Sequence, residues 1–193
     1  MKKFVYLFVF DGLADWEPAL ALCAIRNTNK YEVVTVGFTK ETITAMGGLR
    51  LIPDITLAEV DPDQAAIFIL PGGDMWEKQS FERLISLLNR LREYKVPVAA
   101  ICGATLEVCR ARMTRGVRHT SNTRDYLKSL VPEYQDEDLY VESMAVSDQG
   151  IITANGAGFI EFADEIIKIL EIYSEQERQV WFNLFKHGVM PQV

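Results

Sequence analysis

The feature that most constrains the fold of this chain is a regular alternation between short apolar runs and longer segments with helical periodicity. "KFVYLFVF" (3–10) and "AAIFIL" (65–70) are apolar at almost every position, which is typical of strands buried on both faces. "SFERLISLLNRLREY" (80–94) instead places apolar residues three or four positions apart with charges between them, which indicates an amphipathic helix. Because parallel strands are usually joined by helical crossovers, this alternation predicts an α/β fold, with a mostly parallel sheet covered by helices on both faces.

The remaining elements follow the same alternation. Further strands are predicted at 31–38, 96–101, 117–121 and in "GIITA" at the end of a hairpin over 139–153, and further helices at 17–27, 103–113 and 158–173. The Gly-Gly pair within 42–54 predicts a small β-hairpin insertion. A last helix is predicted over about 174–187, because Ser174 and Glu177 form a capping-box pattern and Gly188 follows it. We expect one domain over 1–193.

Composition excludes several classes of protein. The chain has 27 acidic and 20 basic residues and no basic stripe, which argues against nucleic-acid binding as its main task. Three cysteines in 193 residues do not form a disulfide scaffold. The apolar run near the N-terminus ends at Asp11, with no cleavage signal after it, and no run approaches the ~20 residues of a membrane span. We therefore expect a soluble, cytoplasmic protein with no membrane partner.

Chemically useful residues follow the predicted strands. Parallel sheets bind ligands at the carboxyl ends of their strands, so residues placed there are the first candidates for a site. These candidates are Glu17, Gly72, Gly73, Cys102, Gly103, Thr105 and Asn122. A cysteine between a strand and a helix has the position of a nucleophile elbow, and a helix N-terminus is expected to lower the pKa of its thiol. Glycine amides stabilise a developing oxyanion, and a buried acid beside the thiol is pushed toward its neutral form and acts as a general acid or base.

Each of these residues also has a structural interpretation. A lone cysteine before a helix is more often a packing residue, "PGG" after a strand is more often an ordinary turn, and Glu17 suits the first turn of any helix. "NGAG" (155–158) fits a tight turn better than a phosphate cradle, because it lacks the dinucleotide spacing. The coincidence of several candidates at neighbouring strand ends favours the catalytic interpretation.

The motifs resemble those of a known family. "DGLADWEP" (11–18), "LPGG" (70–73) and "AAICGAT" (99–105), in this order, are similar to the ThiJ/PfpI family of the class I glutamine-amidotransferase-like superfamily, and the resemblance runs from Phe4 to Leu170. It implies a flavodoxin-like three-layer sandwich, usually a homodimer. It also implies a nucleophilic Cys102, a Glu17 that hydrogen-bonds it, and an oxyanion loop at Gly72 and Gly73.

The chain departs from the family pattern around the thiol. Archaeal proteases of the family carry a histidine directly after the cysteine, where this chain has Gly103. Deglycase-like members carry a histidine where this chain has Asn122. True amidotransferases need a His-x-Glu pair late in the chain, but here His187 is followed by Gly188 and Val189. His119 precedes the site and is a further candidate for substrate binding, although an odd spacing in an extended strand points it away from Asn122. Neither histidine has a metal-ligand spacing, and no metal or cofactor is expected.

Two hypotheses follow. In the first, the chain is an intracellular hydrolase, amidase or glyoxalase/deglycase-like enzyme acting on a small molecule. Cys102 is the nucleophile, Glu17 moves the proton, Gly72, Gly73 and Gly103 hold the oxyanion, and Asn122 and Thr105 orient the substrate. In the second, the chain is a non-catalytic redox-sensing or stress-response protein whose Cys102 is oxidised. The missing histidine favours the second hypothesis, and the Glu17–Cys102 pair permits both.

Overall fold

The structure, a computed structural model, describes residues 2–190. Its strands are β1 (Phe4–Phe8), β2 (Glu32–Gly37), β3 (Ile43–Thr44), β4 (Arg50–Leu51), β5 (Ile55–Thr56), β6 (Ala65–Leu70), β7 (Val98–Ile101), β8 (Ala145–Asp148) and β9 (Ile151–Ala154). Its α-helices are α1 (Trp16–Thr28), α2 (Met75–Lys78), α3 (Glu82–Glu93), α4 (Ala104–Arg110), α5 (Arg124–Leu130), α6 (Phe159–Ile169) and α7 (Glu175–His187).

Seven strands form one sheet in the order β5-β2-β1-β6-β7-β9-β8. All neighbouring pairs are parallel except β8 and β9, which form an antiparallel hairpin at one edge. The strand order reverses between β1 and β6, and the carboxyl ends beside such a reversal are where sheets of this kind bind ligands. The mostly parallel α/β architecture is as predicted, and it corresponds to the flavodoxin-like class.

The helices form two layers around a continuous apolar core. α1 and α6 pack against each other, and α4 packs against α2, α3 and α5. The central strands are buried along their length, as the run from Ile67 to Leu70 illustrates with no exposed surface. Within residues 2–190, no helix has both the length and the apolar character needed to cross a membrane.

Several predicted elements are confirmed. The insertion at 42–54 contains the antiparallel hairpin β3–β4, and the hairpin predicted over 139–153 is β8–β9, which spans 145–154. α7 begins at a capping box in which Ser174 and Glu177 bond each other's backbone N–H groups, and it ends at Gly188 in the left-handed conformation.

The predicted strand at 117–121 is wrong. Only His119 pairs there, in an isolated bridge to Tyr140, and the neighbour of β7 in the sheet is β9. Residues 124–130, which were not predicted as an element, form α5, with the Thr123 side chain accepting the Tyr126 N–H. The helix predicted over 103–113 ends at Arg110, because Arg112 is left-handed with φ of 57°.

Candidate active site

Cys102 lies at a strained turn between β7 and α4. Its φ is +58°, in the left-handed region, where a side chain other than glycine typically costs about 1–3 kcal/mol. Its backbone N–H donates to Ala154 O at 2.9 Å, and its carbonyl accepts from the Thr105 hydroxyl at 2.6 Å. These bonds hold the strained residue in place, and Cys102 remains partly exposed at the carboxyl edge of the sheet, as in a nucleophile elbow.

Glu17 lies in the first turn of α1 and is only 1% exposed. The Gly72 N–H donates to its Oε2 atom at 2.5 Å, and its carboxyl group is within hydrogen-bonding reach of the Cys102 thiol. Burial raises the pKa of Glu17 to about 7, although the bonds from Gly72 and Cys102 oppose that change. The predicted shift of this acid toward its neutral form is therefore confirmed, with burial as its cause.

The pKa of the Cys102 thiol is raised, whereas the sequence predicted that it would be lowered. Burial and, next, the negative charge of Glu17 raise the pKa of Cys102, and hydrogen bonds from Asn122 and from the Gly103 N–H only partly offset them. Removal from water and a like charge outweigh the short helix that follows. Near neutral pH, Glu17 therefore ionises while the Cys102 thiol keeps its proton, so an ionised Glu17 is placed to accept the thiol proton as a nucleophilic attack begins.

The glycine loop after β6 fits tightly against this pair. A Cβ at Gly72 would lie 2.7 Å from both Cys102 Cβ and Glu17 Oε2, so any side chain there would displace the pair. Gly73 has φ of +154°, and a Cβ there would lie 2.7 Å from the Phe10 ring. Because the Gly72 N–H is bonded to Glu17, that amide is not directed at an oxyanion, which corrects one of the predicted roles.

A buried cluster beneath the loop holds it in position. Trp76, which has no exposed surface, donates its indole N–H to Pro71 O at 2.9 Å and packs beside Gly103. Arg110 Nη1 donates to Trp76 O at 2.9 Å and forms an ion pair of 3.2 Å with the fully buried Glu107. The helix that begins after the thiol thus also anchors the glycine loop.

Asn122 reaches the thiol although it does not follow a strand. Its Nδ2 atom is 3.6 Å from Cys102 Sγ, and its Oδ1 atom accepts from the Gly156 N–H at 3.0 Å. Its own carbonyl accepts from Asn155 Nδ2 at 2.8 Å. The "NGAG" motif is therefore a turn, as predicted, but it also orders Asn122. A Cβ at Gly156 would lie 3.0 Å from Cys102 Sγ, so this glycine borders the thiol. Gly156, and Asn155 through its bond to Asn122, are the site residues that sequence reasoning missed.

Thr105 and His119 lie behind the site. The hydroxyl groups of Thr105 and Ser121 are 2.6 Å apart and buried, so they join the elbow to the segment that carries Asn122. His119 is also buried, with Nδ1 at 2.7 Å from Val117 O and Nε2 at 2.7 Å from the Tyr134 hydroxyl. None of the hydrogen bonds of His119 within residues 2–190 leads to Cys102, so the structure does not bring it into the site.

Comparison with known proteins places this arrangement in a family. The chain is 35% identical over 190 residues to the uncharacterized protease YoaZ of Bacillus subtilis, covering 94% of this chain and 90% of that protein. It is 29% identical over 148 residues to a deglycase of Thermococcus kodakarensis, covering 75% and 89% of the two chains. A crystal structure of a ThiJ/PfpI family protein from Bacillus anthracis superposes with a TM-score of 0.92 at 33% identity, covering 98% of this chain and 92% of that chain. The profile of the DJ-1/PfpI family matches residues 3–169, a range that includes every strand-end residue described above, and the chain belongs to this family.

Proposed function

We propose that the chain is a cysteine-dependent enzyme of the hydrolase or deglycase type, acting on a small molecule with an electrophilic carbonyl carbon. The observation that carries the proposal is the Glu17 carboxyl group, buried against the left-handed Cys102 with its pKa raised to about 7. A general base works best when its pKa lies near the operating pH, and this acid meets that condition. The similarity to proteins named protease and deglycase supports the same reaction class.

The proposed first step is a proton transfer coupled to attack. The ionised Glu17 takes the proton of the Cys102 thiol, and the sulfur forms a bond to the carbonyl carbon while the C=O π electrons move to oxygen. The N–H groups of Gly73 and Gly103 are proposed to stabilise this oxyanion, and the amide of Asn122 to orient the substrate. On an amide or ester, the oxyanion then re-forms C=O as Glu17 returns the proton to the leaving nitrogen or oxygen, whose bond to carbon breaks, and water hydrolyses the thioester left on the sulfur. On an aldehyde such as methylglyoxal, which has no leaving group, Glu17 protonates the oxyanion to give a hemithioacetal and moves the proton of its carbon to the neighbouring carbonyl group, and water hydrolyses the resulting thioester.

The test is the alkylation of Cys102 by iodoacetamide as a function of pH, followed by mass spectrometry. We expect a first inflection near pH 7 in the wild type, because ionised Glu17 can take the thiol proton as the sulfur attacks, and the loss of this inflection in Glu17→Gln. The exposed Cys23 in the same molecule is an internal control that should react alike in both proteins. Turnover of methylglyoxal or a chromogenic amide should disappear in Cys102→Ser. A pH profile that Glu17→Gln leaves unchanged would contradict the role of Glu17.

A second candidate function is redox sensing. The observation in its favour is that Asn122 lies beside the thiol, at the position where deglycase-like members of the family carry a histidine. Its amide can donate a hydrogen bond to the sulfur but cannot act as a general acid or base. In this proposal, hydrogen peroxide oxidises the Cys102 thiolate to a sulfenate with release of water, and a second peroxide gives a sulfinate that Glu17 bonds in its protonated form. A stable gain of two oxygens on Cys102, without turnover of either substrate, would support it. Turnover that depends on Cys102 would defeat it.

We also propose that the protein is a cytoplasmic homodimer. All three cysteines are free thiols, which suits a reducing compartment. The hairpin β3–β4 and the residues after it leave Met46, Leu49 and Ile52 exposed, which supports an interface between two copies there. Light scattering after size-exclusion chromatography should give twice the chain mass, and Ile52→Asp should reduce that mass toward one chain.

A further inference from the structure

Three arginines line one cleft at the amino edge of the sheet, on the side opposite Cys102. Arg92 comes from the end of α3, and Arg112 and Arg115 come from the turn after α4. The cleft has a volume of about 410 Å³ and reaches Ile151, the first residue of β9. Its other apolar contacts are the buried Met113 and Val117. Positive charge is therefore gathered over an apolar floor, in a chain whose net charge is −7.

The partners of these arginines are neutral. Arg92 donates from Nη1 to Arg112 O at 3.4 Å and from Nη2 to Asn89 Oδ1 at 2.9 Å. Arg115 donates from Nη2 to Gln135 Oε1 at 3.4 Å. In the part of the chain from 2 to 190, none of the three lies within 4 Å of a carboxylate, whereas Arg110 and Arg178 both form ion pairs.

Nearby acids are engaged elsewhere. Asp136 accepts from the Gly116 N–H at 3.3 Å, and Asp148 accepts from the Arg118 N–H at 2.8 Å. These carboxylates accept from the backbone of the two turns beside the cleft, and in residues 2–190 neither forms an ion pair within 4 Å with one of the three arginines. The positive charge of the cleft is thus left for a group from outside the chain.

We propose that this cleft binds a tetrahedral oxyanion of the phosphate class. Like charges repel one another, so a bound anion would stabilise the three arginines together. The planar guanidinium group matches two oxygens of phosphate, and the apolar floor lowers the local dielectric and strengthens each charge-assisted bond. Free phosphate and the phosphate group of a phosphorylated metabolite share this chemistry.

The test is a titration of the ¹⁵N-labelled full-length protein with inorganic phosphate, followed by amide chemical shifts at constant ionic strength held with sodium chloride. We expect saturable shifts at Gly116 and Ile151, which border the cleft, and none from sodium chloride alone. The same titration with glycerol phosphate separates the two sources. If glycerol phosphate binds more tightly than inorganic phosphate, the ligand is a phosphorylated metabolite. If the two bind equally, the ligand is the free ion. Either result supports the proposed site.

Substitutions of the arginines test whether their side chains bind the phosphate. Arg112→Gln and Arg115→Gln should each weaken binding about tenfold, since each removes a hydrogen bond to a charged group. Arg83→Gln is the matched control, because Arg83 is exposed on α3 outside the cleft and should leave the affinity unchanged. The proposal is overturned if the shifts do not saturate, if sodium chloride reproduces them, or if the double variant Arg112→Gln/Arg115→Gln binds as the wild type does.

Discussion

The buried acid at the active site should make the stability of this protein fall as the pH rises. The folded-state pKa of Glu17 is about 7, against 4.5 for an ordinary glutamate. For a group whose pKa is raised on folding, the stabilisation is complete below the unfolded pKa and is lost as the pH rises through the folded pKa. Glu17 alone should therefore remove about 2 to 3 kcal/mol from the free energy of unfolding between roughly pH 5 and pH 8.

The substitution Glu17→Gln isolates this contribution. Glutamine has the same shape, its Oε1 can accept the Gly72 N–H that Glu17 accepts at 2.5 Å, and it carries no charge at any pH. The variant should therefore gain stability over the wild type as the pH rises, by about 2 to 3 kcal/mol at pH 8 relative to pH 5. Its activity should fall, so stability and activity should change in opposite directions.

Urea denaturation of both proteins at the two pH values measures this difference. The free energy of unfolding is extrapolated for each protein, and the difference between them is compared across pH, so that every other titrating group cancels. Glu41→Gln, at an exposed position, is the control and should give a difference that does not change with pH. A Glu17→Gln difference that is the same at both pH values would refute the argument that burial raises the pKa of Glu17.

Three further substitutions test the surroundings of the thiol. Gly156→Ala should slow alkylation of Cys102 by roughly tenfold or more, because the new methyl group would lie 3.0 Å from the sulfur, and the rate with iodoacetamide measures this. Asn122→Ala should move the alkylation profile of Cys102 to higher pH, since the bond from Asn122 lowers the thiol pKa; a profile at lower pH would contradict that bond. Arg110→Met should destabilise the fold by about 3–5 kcal/mol in urea unfolding, because the buried Glu107 loses its cationic partner, and Arg110→Met/Glu107→Gln should recover part of the loss.

Sequence periodicity was sufficient for the central strands of the sheet, but it did not predict the edge strand β5, and it failed where pairing depends on contacts distant along the chain. The central strands are apolar runs buried on both faces, so their pattern can be read without the structure. Residues 117–121 include the β-branched Val117 and Thr120, but only His119 forms a β-bridge there, to Tyr140. That pairing depends on a segment about twenty residues away, which local propensity does not contain.

The site was predictable to the extent that the strand ends determine it. Glu17, Gly72 and Cys102 meet because β1, β6 and β7 are parallel neighbours and end at the same edge of the sheet. Gly156 likewise follows the carboxyl end of β9, the parallel neighbour of β7, and it was missed because the sequence does not give the strand order and 155–158 was interpreted as a turn. The bond that occupies the Gly72 N–H was likewise invisible, since it depends on the rotamer of Glu17.

The left-handed backbone of Cys102 has a consequence for how such a chain changes over generations. Glycine adopts this conformation without strain, so Cys102→Gly should relieve the elbow, and Glu17→Gln should relieve the buried charge. In the genetic code, cysteine and glycine codons differ at one base, as do glutamate and glutamine codons. Two single-base changes, each expected to increase stability, would therefore remove the thiol and the acid of this site. A chain that holds both unfavourable residues side by side therefore carries an energetic cost that two single-base changes would remove.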